Sequence, residues 1–183
     1  MQRIDAYVRL AIIFVIVITI LYLPILFYLK KKGKNVIRQL SYLGLICSLF
    51  LIIFATILYM PIEFPPKRYV LNLIPFNFNE NIYGPYQFIN EKIPNIMLFI
   101  PLGFFLPIVF KSKRKLYKIT IIAFFVTFGV EFIQYFIGRA ADIDDVITNL
   151  LGGVIGYGIF KIADRFLKKQ NWWLKFIGKD KNS

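Results

Sequence analysis

The chain has 183 residues, 58% hydrophobic and 18% aromatic, with a formal net charge of +13. That much apolar side chain exceeds what one soluble core of this length buries, so the natural solvent is a bilayer. One cysteine and no histidine exclude an intrachain disulfide framework, a cysteine zinc site, His-Glu-x-x-His metalloproteases, Ser-His-Asp hydrolases and phosphatases with a histidine nucleophile.

A spanning helix needs about 20 mostly apolar residues, and five runs qualify. Tyr7–Leu29 carries one charge, Arg9, at its start. It ends in Lys30–Lys32 without a small-residue cleavage pattern, so it is expected to be a true span rather than a cleaved leader. Gln39–Met60 is uncharged and holds Cys47, a small packing residue. Ile93–Phe110 is uncharged but contains Pro94, Pro101 and Pro107. Leu116–Ile137 has Lys118 at one end and Glu131 well inside. Val146–Ala163 is short, with Asn149 near its start and Lys161 near its end. The predicted fold is all-α: a polytopic membrane helix bundle of about five transmembrane helices, a single domain over 1–183.

The basic residues fall in blocks between these runs. Lys30, Lys31, Lys32, Lys34 and Arg38 follow the first, and Lys111, Lys113, Arg114, Lys115 and Lys118 follow the third. Arg165, Lys168, Lys169, Lys175, Lys179 and Lys181 follow the fifth. Such blocks read as topogenic signals rather than a nucleic-acid surface, and no nucleic-acid-binding motif accompanies them. They predict an amino terminus outside and a carboxyl terminus in the cytoplasm, with 164–183 a basic cytoplasmic tail. Trp172, Trp173, Phe176 and Ile177 within it read as an anchor against anionic lipid.

The second connection, Pro61–Lys92, is the long extracytoplasmic loop. It contains Pro61, Pro65, Pro66, Pro75 and Pro85 with Phe64, Tyr69, Phe76, Phe78, Tyr83, Tyr86 and Phe88. Prolines oppose a long regular helix and aromatics favour the headgroup level. The segment is expected either to cover the outer leaflet as a lid or to lie there as an ordinary interfacial loop.

Polar side chains concentrate where three spans meet the outer face. Glu131 lies roughly 10 Å below the end of the fourth span at the helical rise, with Gln134 one turn above it on the same face. Asn149 is one turn into the fifth span, and Asn95 follows Pro94 at the start of the third. Arg139, Asp142, Asp144 and Asp145 lie above them. A carboxyl facing lipid costs about 2.5–3.5 kcal/mol, so Glu131 must face the bundle, and a bend at Gly138 would let Arg139 fold back as its partner. Interhelical cross-linking is the plain account of this set; a ligand-binding or catalytic pocket is the functional one. Asp142 and Asp145 offer hard oxygen ligands to Mg²⁺ or Ca²⁺, although an exposed acidic loop in which Asp144 or Asp145 caps the fifth helix is the plainer reading. Thr148, Gly152 and Gly156 repeat every four residues as a small-residue ridge for close helix approach, a possible oligomer contact.

The stretches "NIMLFIPLGFFLP" (Asn95–Pro107) and "EFIQYFIGRAADIDDVITNLLGGVIGYG" (Glu131–Gly158), with "NLIPF" (Asn72–Phe76), resemble the VanZ-like membrane proteins. The resemblance covers about 72–158. Carried over, its pattern marks Asn95, Pro101, Gly103, Glu131, Gln134, Arg139, Asp142, Asp145, Asn149 and Gly152, with Asn72 in the looser stretch. It implies action at the bacterial cell surface, where the family's founding member lowers susceptibility to teicoplanin-type glycopeptides. Richness in Lys, Ile, Asn and Phe fits a low-GC Gram-positive source.

Two functions follow. In the first, Asn72, Asn95, Gln134 and Asn149 line a pocket for an amphiphile, such as a lipoglycopeptide antibiotic, a lipid-linked cell-wall precursor or another membrane lipid. In the second, a membrane enzyme acts on a phospholipid or a polyprenyl-phosphate-linked substrate. Glu131 would be its acid or base, Arg139 its phosphate holder, and Asp142 with Asp145 the holders of a divalent ion. Transport is disfavoured because five spans show no internal repeat.

Overall fold

A computed structural model describes residues 2–58, 62–76 and 85–179. The helices are α1 (Gln2–Lys31), α2 (Val36–Ile53), α3 (Pro85–Val109), α4 (Leu116–Phe136), α5 (Ile143–Leu167) and the short α6 (Asn171–Phe176). Five of them are long and apolar enough to cross a membrane, as the sequence predicts. The chain is a multi-pass, all-α membrane protein.

The helix bounds follow local chemistry. Asn35 caps α2, its side chain accepting from the Ile37 and Arg38 amides. Pro85 is the first residue of α3, a position where the missing N–H costs nothing. Helix α3 therefore begins before the predicted Ile93 and takes in the end of the presumed loop. Pro94, Pro101 and Pro107 lie inside it, tolerated where neighbouring helices supply the lost contacts. Gly138, at φ +80°, follows the end of α4. Asp142 caps α5 by accepting from the Asp144 amide at 3.0 Å. The cap is thus Asp142, not Asp144 or Asp145, and α5 starts earlier and ends later than predicted.

Helix α3 is the central element. Phe99 and Leu102 on it are fully buried, packed with Leu45 and Ile52 of α2 and Ile119, Ala123 and Val130 of α4. Its closest neighbour is α5. A Cβ added at Gly152 would lie 2.2 Å from the Ile96 carbonyl oxygen, and one at Gly156 2.1 Å from that of Ile100. From the other side, a Cβ at Gly103 would lie 2.1 Å from the Gly153 oxygen. The small-residue ridge therefore serves packing within the chain. Thr148, Gly152 and Gly156 are buried, so the expected oligomer contact through them is not available to a second copy.

Helix α1 stands at the periphery, touching α2 through Phe14 against Phe50 and Phe54. No residue of its apolar window is buried. Phe124, Phe125, Phe128 and Phe132 are exposed along α4, a surface suited to acyl chains.

The basic end of the bundle is closed by arginines and by α6. Arg38 donates to the Ile108, Val109 and Phe176 carbonyls at 2.7–2.9 Å. Arg114 donates to the Pro107 and Ile177 carbonyls. Trp173 is buried against Phe160 and Ile108, with its indole N–H on Asp164 at 2.9 Å. This corrects the reading of Trp173 and Ile177 as part of a lipid anchor. Residues 164–167 complete α5, and Trp173 and Ile177 plug the bundle, leaving Trp172 exposed.

At the opposite end, α2 continues as a π-helical segment, Phe54–Leu58. The described part of the second connection, residues 62–76, folds back over the α4–α5 turn. The Glu63 amide donates to the Ile137 carbonyl at 3.1 Å. Leu71–Asn72 (β1) and Ala141–Asp142 (β2) pair in parallel, and Tyr69 packs on Tyr135 and Phe136. Residues 62–76 thus cover the ends of α4 and α5. Met60, Pro61, Phe78, Glu80 and Tyr83, and the side chains of Tyr86, Phe88 and Glu91, lie outside the described residues.

Candidate functional site

Beneath that cover, α4 and α5 present matching polar edges. Thr127, Glu131 and Gln134 lie one turn apart along one face of α4 and are all buried. Two rungs join them to α5. Asn149 Nδ2 donates to Thr127 Oγ1 at 2.8 Å. The Asp142 amide donates to Glu131 Oε2 at 2.8 Å. Glu131, 6% exposed, faces the bundle, as the cost of placing a carboxylate in lipid requires.

The rung at Asp142 differs from the predicted pairing. Gly138 does turn the chain back over the helix end, with the Arg139 amide on the Gln134 carbonyl at 2.9 Å. Yet the Arg139 guanidinium does not meet Glu131. It donates through Nη1 to the Thr56 carbonyl of the π-helical segment, which also accepts from Gln134 Nε2 at 2.9 Å. The wider register of a π turn displaces carbonyls from the ordinary ladder, and such turns recur at functional sites.

The third wall is α3. Lys92 Nζ sits 2.7 Å from Asp142 Oδ2 and 2.5 Å from Asp145 Oδ1, and the lysine is buried. This ammonium stands between the two carboxylates that sequence reasoning assigned to Mg²⁺ or Ca²⁺. Among the described residues no group of three or more His, Cys, Asp or Glu side chains converges as a metal site. As arranged, Asp142 and Asp145 are the partners of Lys92 and do not fit a divalent ion.

The cover is tied into the same cluster. Asn72 Nδ2 donates to Asp142 Oδ1 at 3.0 Å, and the Phe76 amide donates to Asp144 Oδ1 at 2.8 Å. Asp142 thus receives Lys92, Asn72 and the Asp144 amide on its carboxylate, and gives its own amide to Glu131.

The predicted residues fall into three neighbouring groups: Asn72, Glu131, Asp142 and Asp145 are joined together with Lys92, Gln134 and Arg139 meet at the Thr56 carbonyl, and Asn149 pairs with Thr127. Asn95 is half-buried on α3 and makes no side-chain hydrogen bond among the described residues. Sequence reasoning missed Lys92, Thr127 and Thr56. Lys92 lies one turn before Asn95 and Thr127 one turn before Glu131, so helical spacing held the signal for both. The Thr56 carbonyl has no sequence signal, because its role comes from a main-chain register.

Among the described residues, two buried acceptors have no hydrogen-bond partner: Gln134 Oε1 and Asn149 Oδ1. Buried polar atoms in native structures are nearly always satisfied, by protein groups, ordered water or a bound group.

The fold and site define a polytopic helical membrane protein with a buried, covered polar cluster at the end opposite its basic face. A family model described as VanZ/LLP1 matches residues 40–164, and the chain belongs to that family. The match takes in α2, beyond the stretches that carry the resemblance in sequence. The chain is 31% identical over 149 residues to Protein VanZ of Enterococcus faecium, covering 80% of this chain and 88% of that one. No solved structure matches the chain.

Proposed function

We propose that this VanZ-family protein acts at the outer face of the bacterial cytoplasmic membrane, where it engages an amphiphilic ligand in the cluster between α3, α4 and α5 and so lowers susceptibility to teicoplanin-type lipoglycopeptides. The pair of buried, unpartnered acceptors, Gln134 Oε1 and Asn149 Oδ1, carries this reading. An unsatisfied buried acceptor costs about 1–3 kcal/mol, which the polar end of a ligand would recover. The apolar flanks and the cover from residues 62–76 suit a ligand with one polar end and one greasy end.

The outward placement of the site rests on the positive-inside rule. The Lys30–Arg38, Lys111–Lys118 and Arg165–Lys179 blocks gather at the end away from the cluster. A reporter fused after Ser183 is expected to be active only if it works in the cytoplasm; activity on the other side would reverse the orientation.

Binding is favoured over catalysis by two observations. Arg139, the phosphate holder of the enzyme reading, is engaged with the Thr56 carbonyl. Lys92 lies where that reading requires a metal. The test is a deletion strain complemented with wild type, Glu131→Ala, Arg139→Ala and Asp145→Ala, with teicoplanin and vancomycin susceptibility read alongside the lipid profile. A change in teicoplanin susceptibility without new lipids is expected. Accumulation of one lipid species in the variants would replace binding by catalysis, with Glu131 as the acid or base.

A further inference from the structure

We propose that the outward surface of residues 62–76 is a lipid-contacting surface, seated at the headgroup–acyl boundary of the leaflet beside the polar cluster. Its partner is the bilayer itself. The proposal goes beyond the ligand reading above and needs no ligand in the cluster, because it concerns what the cover touches on its other side.

The first argument is the direction of the side chains. Through Leu71, Asn72 and Leu73 the polar residue turns inward and the apolar ones turn outward. Both ends of the Asn72 amide are used within the protein: Nδ2 donates to Asp142 Oδ1 at 3.0 Å, and Oδ1 accepts from the Ile74 amide at 3.3 Å. Leu71, Leu73 and Ile74 are 57%, 65% and 62% exposed, and Phe64 is 78% exposed. A segment facing water would reverse this alternation, since each such side chain left outside forgoes about 1.5–3 kcal/mol of burial. These residues are as open as Phe125 and Phe132 on the apolar face of α4.

The second argument is continuity with that face. The Tyr69 ring of the cover lies 6.3 Å from Phe136, and Phe136 lies 4.9 Å from Phe132, so the apolar surface runs unbroken from the spanning helix onto the cover. Lipid that meets one meets the other. Residues 69–76 carry no charge, and the charged residues of the described cover, Glu63, Lys67 and Arg68, precede them. Lys67 and Arg68 are exposed, on stems long enough to reach headgroups. The backbone sets the depth. Strand β1 pairs only with β2 among the described residues, and an open edge is not tolerated within hydrocarbon. The cover therefore belongs at the boundary, where water and headgroups serve that edge. Pro65, Pro66 and Pro75 bring no N–H to be served, and a tyrosine such as Tyr69 is at home at this level.

Nitroxide labels read this placement. In the full-length chain carrying Cys47→Ala, the single substitutions Leu71→Cys, Leu73→Cys and Ile74→Cys are labelled and reconstituted in nanodiscs of phosphatidylglycerol and phosphatidylcholine. Phe125→Cys serves as the lipid reference and Lys111→Cys as the aqueous one. The ratio of oxygen to nickel-chelate collision rates at 71, 73 and 74 is expected to exceed that at 111 at least about threefold and to stay below that at 125, as a depth of about 5–10 Å into the boundary implies. Thermal unfolding of each labelled variant confirms that it folds, and the neighbouring positions keep the test open where one variant does not. Ratios equal to that at 111 would place the surface in water, free for a protein partner, and overturn the proposal. Labels closed to both reagents, with dipolar broadening between chains, would assign the surface to a second copy and overturn it as well. Ratios equal to that at 125 would overturn the boundary depth. Which side of the membrane this leaflet faces is read separately by the fusion after Ser183, and ligand binding by the susceptibility test, so failure here is distinguishable from failure of either.

Discussion

Lys92→Met is the substitution that bears most directly on the architecture. It keeps the length and apolar stem of the side chain and removes the ammonium that lies 2.7 Å from Asp142 and 2.5 Å from Asp145. The two carboxylate oxygens are then no more than about 5 Å apart with nothing between them, a repulsion of about 3 kcal/mol at an effective dielectric near 20. Truncating one partner of a fully buried pair costs about 3–5 kcal/mol. The aspartate side chains retain 22% and 27% exposure, which lowers the expectation to about 2–3 kcal/mol. Reversible unfolding in mixed micelles at rising dodecyl sulfate fraction reads this difference. Lys92→Met with Asp145→Asn is expected to recover at least about 1 kcal/mol of it, because the like-charge pair is then gone. Unfolding of Lys92→Met at the wild-type detergent fraction, or strict additivity in the double variant, would refute the reasoning.

Gly156→Ala is expected to cost about 1–3 kcal/mol in the same assay, since its new methyl would lie 2.1 Å from the Ile100 carbonyl oxygen. Gly129→Ala, where nothing stands within 4 Å, is expected to be neutral or stabilising by up to about 1 kcal/mol through helix propensity. At the basic end, Arg38→Met leaves the Ile108, Val109 and Phe176 carbonyls without their donor. It is expected to speed proteolysis of the segment after Leu167. Trp173→Phe is expected to cost about 1 kcal/mol by removing the N–H that reaches Asp164, and Trp173→Ala about 3–5 kcal/mol by emptying the plug.

Much of this was legible in the residues themselves. The number of spans follows from apolar run length, because backbone groups in lipid must be satisfied within a helix. The burial of Glu131 follows from the cost of the alternative, and its companions Gln134 and Asn149 follow from one-turn spacing. The pairing did not follow. Whether Arg139 would reach Glu131 or the end of α2 depends on how α2 leaves the bundle, and the π-helical segment Phe54–Leu58 has no marker in composition. Lys92 falls just before the apolar run that begins at Ile93, so run length leaves it in the second connection; Pro85 instead starts α3 and carries Lys92 into the wall. The ridge of Thr148, Gly152 and Gly156 correctly announced a close helix contact, but periodicity on one helix does not say which neighbour fills it. The tail was misjudged for a related reason. Tryptophan among lysines suits a membrane surface, yet an indole with Asp164 in reach is better satisfied inside the protein.

The two ends of the bundle are polar in opposite senses, and the contrast bears on function. At the basic end, guanidinium donors meet main-chain carbonyls left over at the close of α3 and α6, so charge there completes the hydrogen bonding of the fold. At the other end, carboxylates gather around one ammonium, two amide oxygens stay unpartnered, and the cover is joined to the helices through Asn72, Phe76 and a two-residue parallel pairing. Stability alone accounts for the first arrangement. The second leaves Gln134 Oε1 and Asn149 Oδ1 without a partner among the described residues, under a segment attached by a few bonds. Glu131 lies between these two features, bonded through Asp142 to the strand that Asn72 holds. A change in the hydrogen bonding of Glu131 would therefore also bear on how firmly residues 62–76 are held.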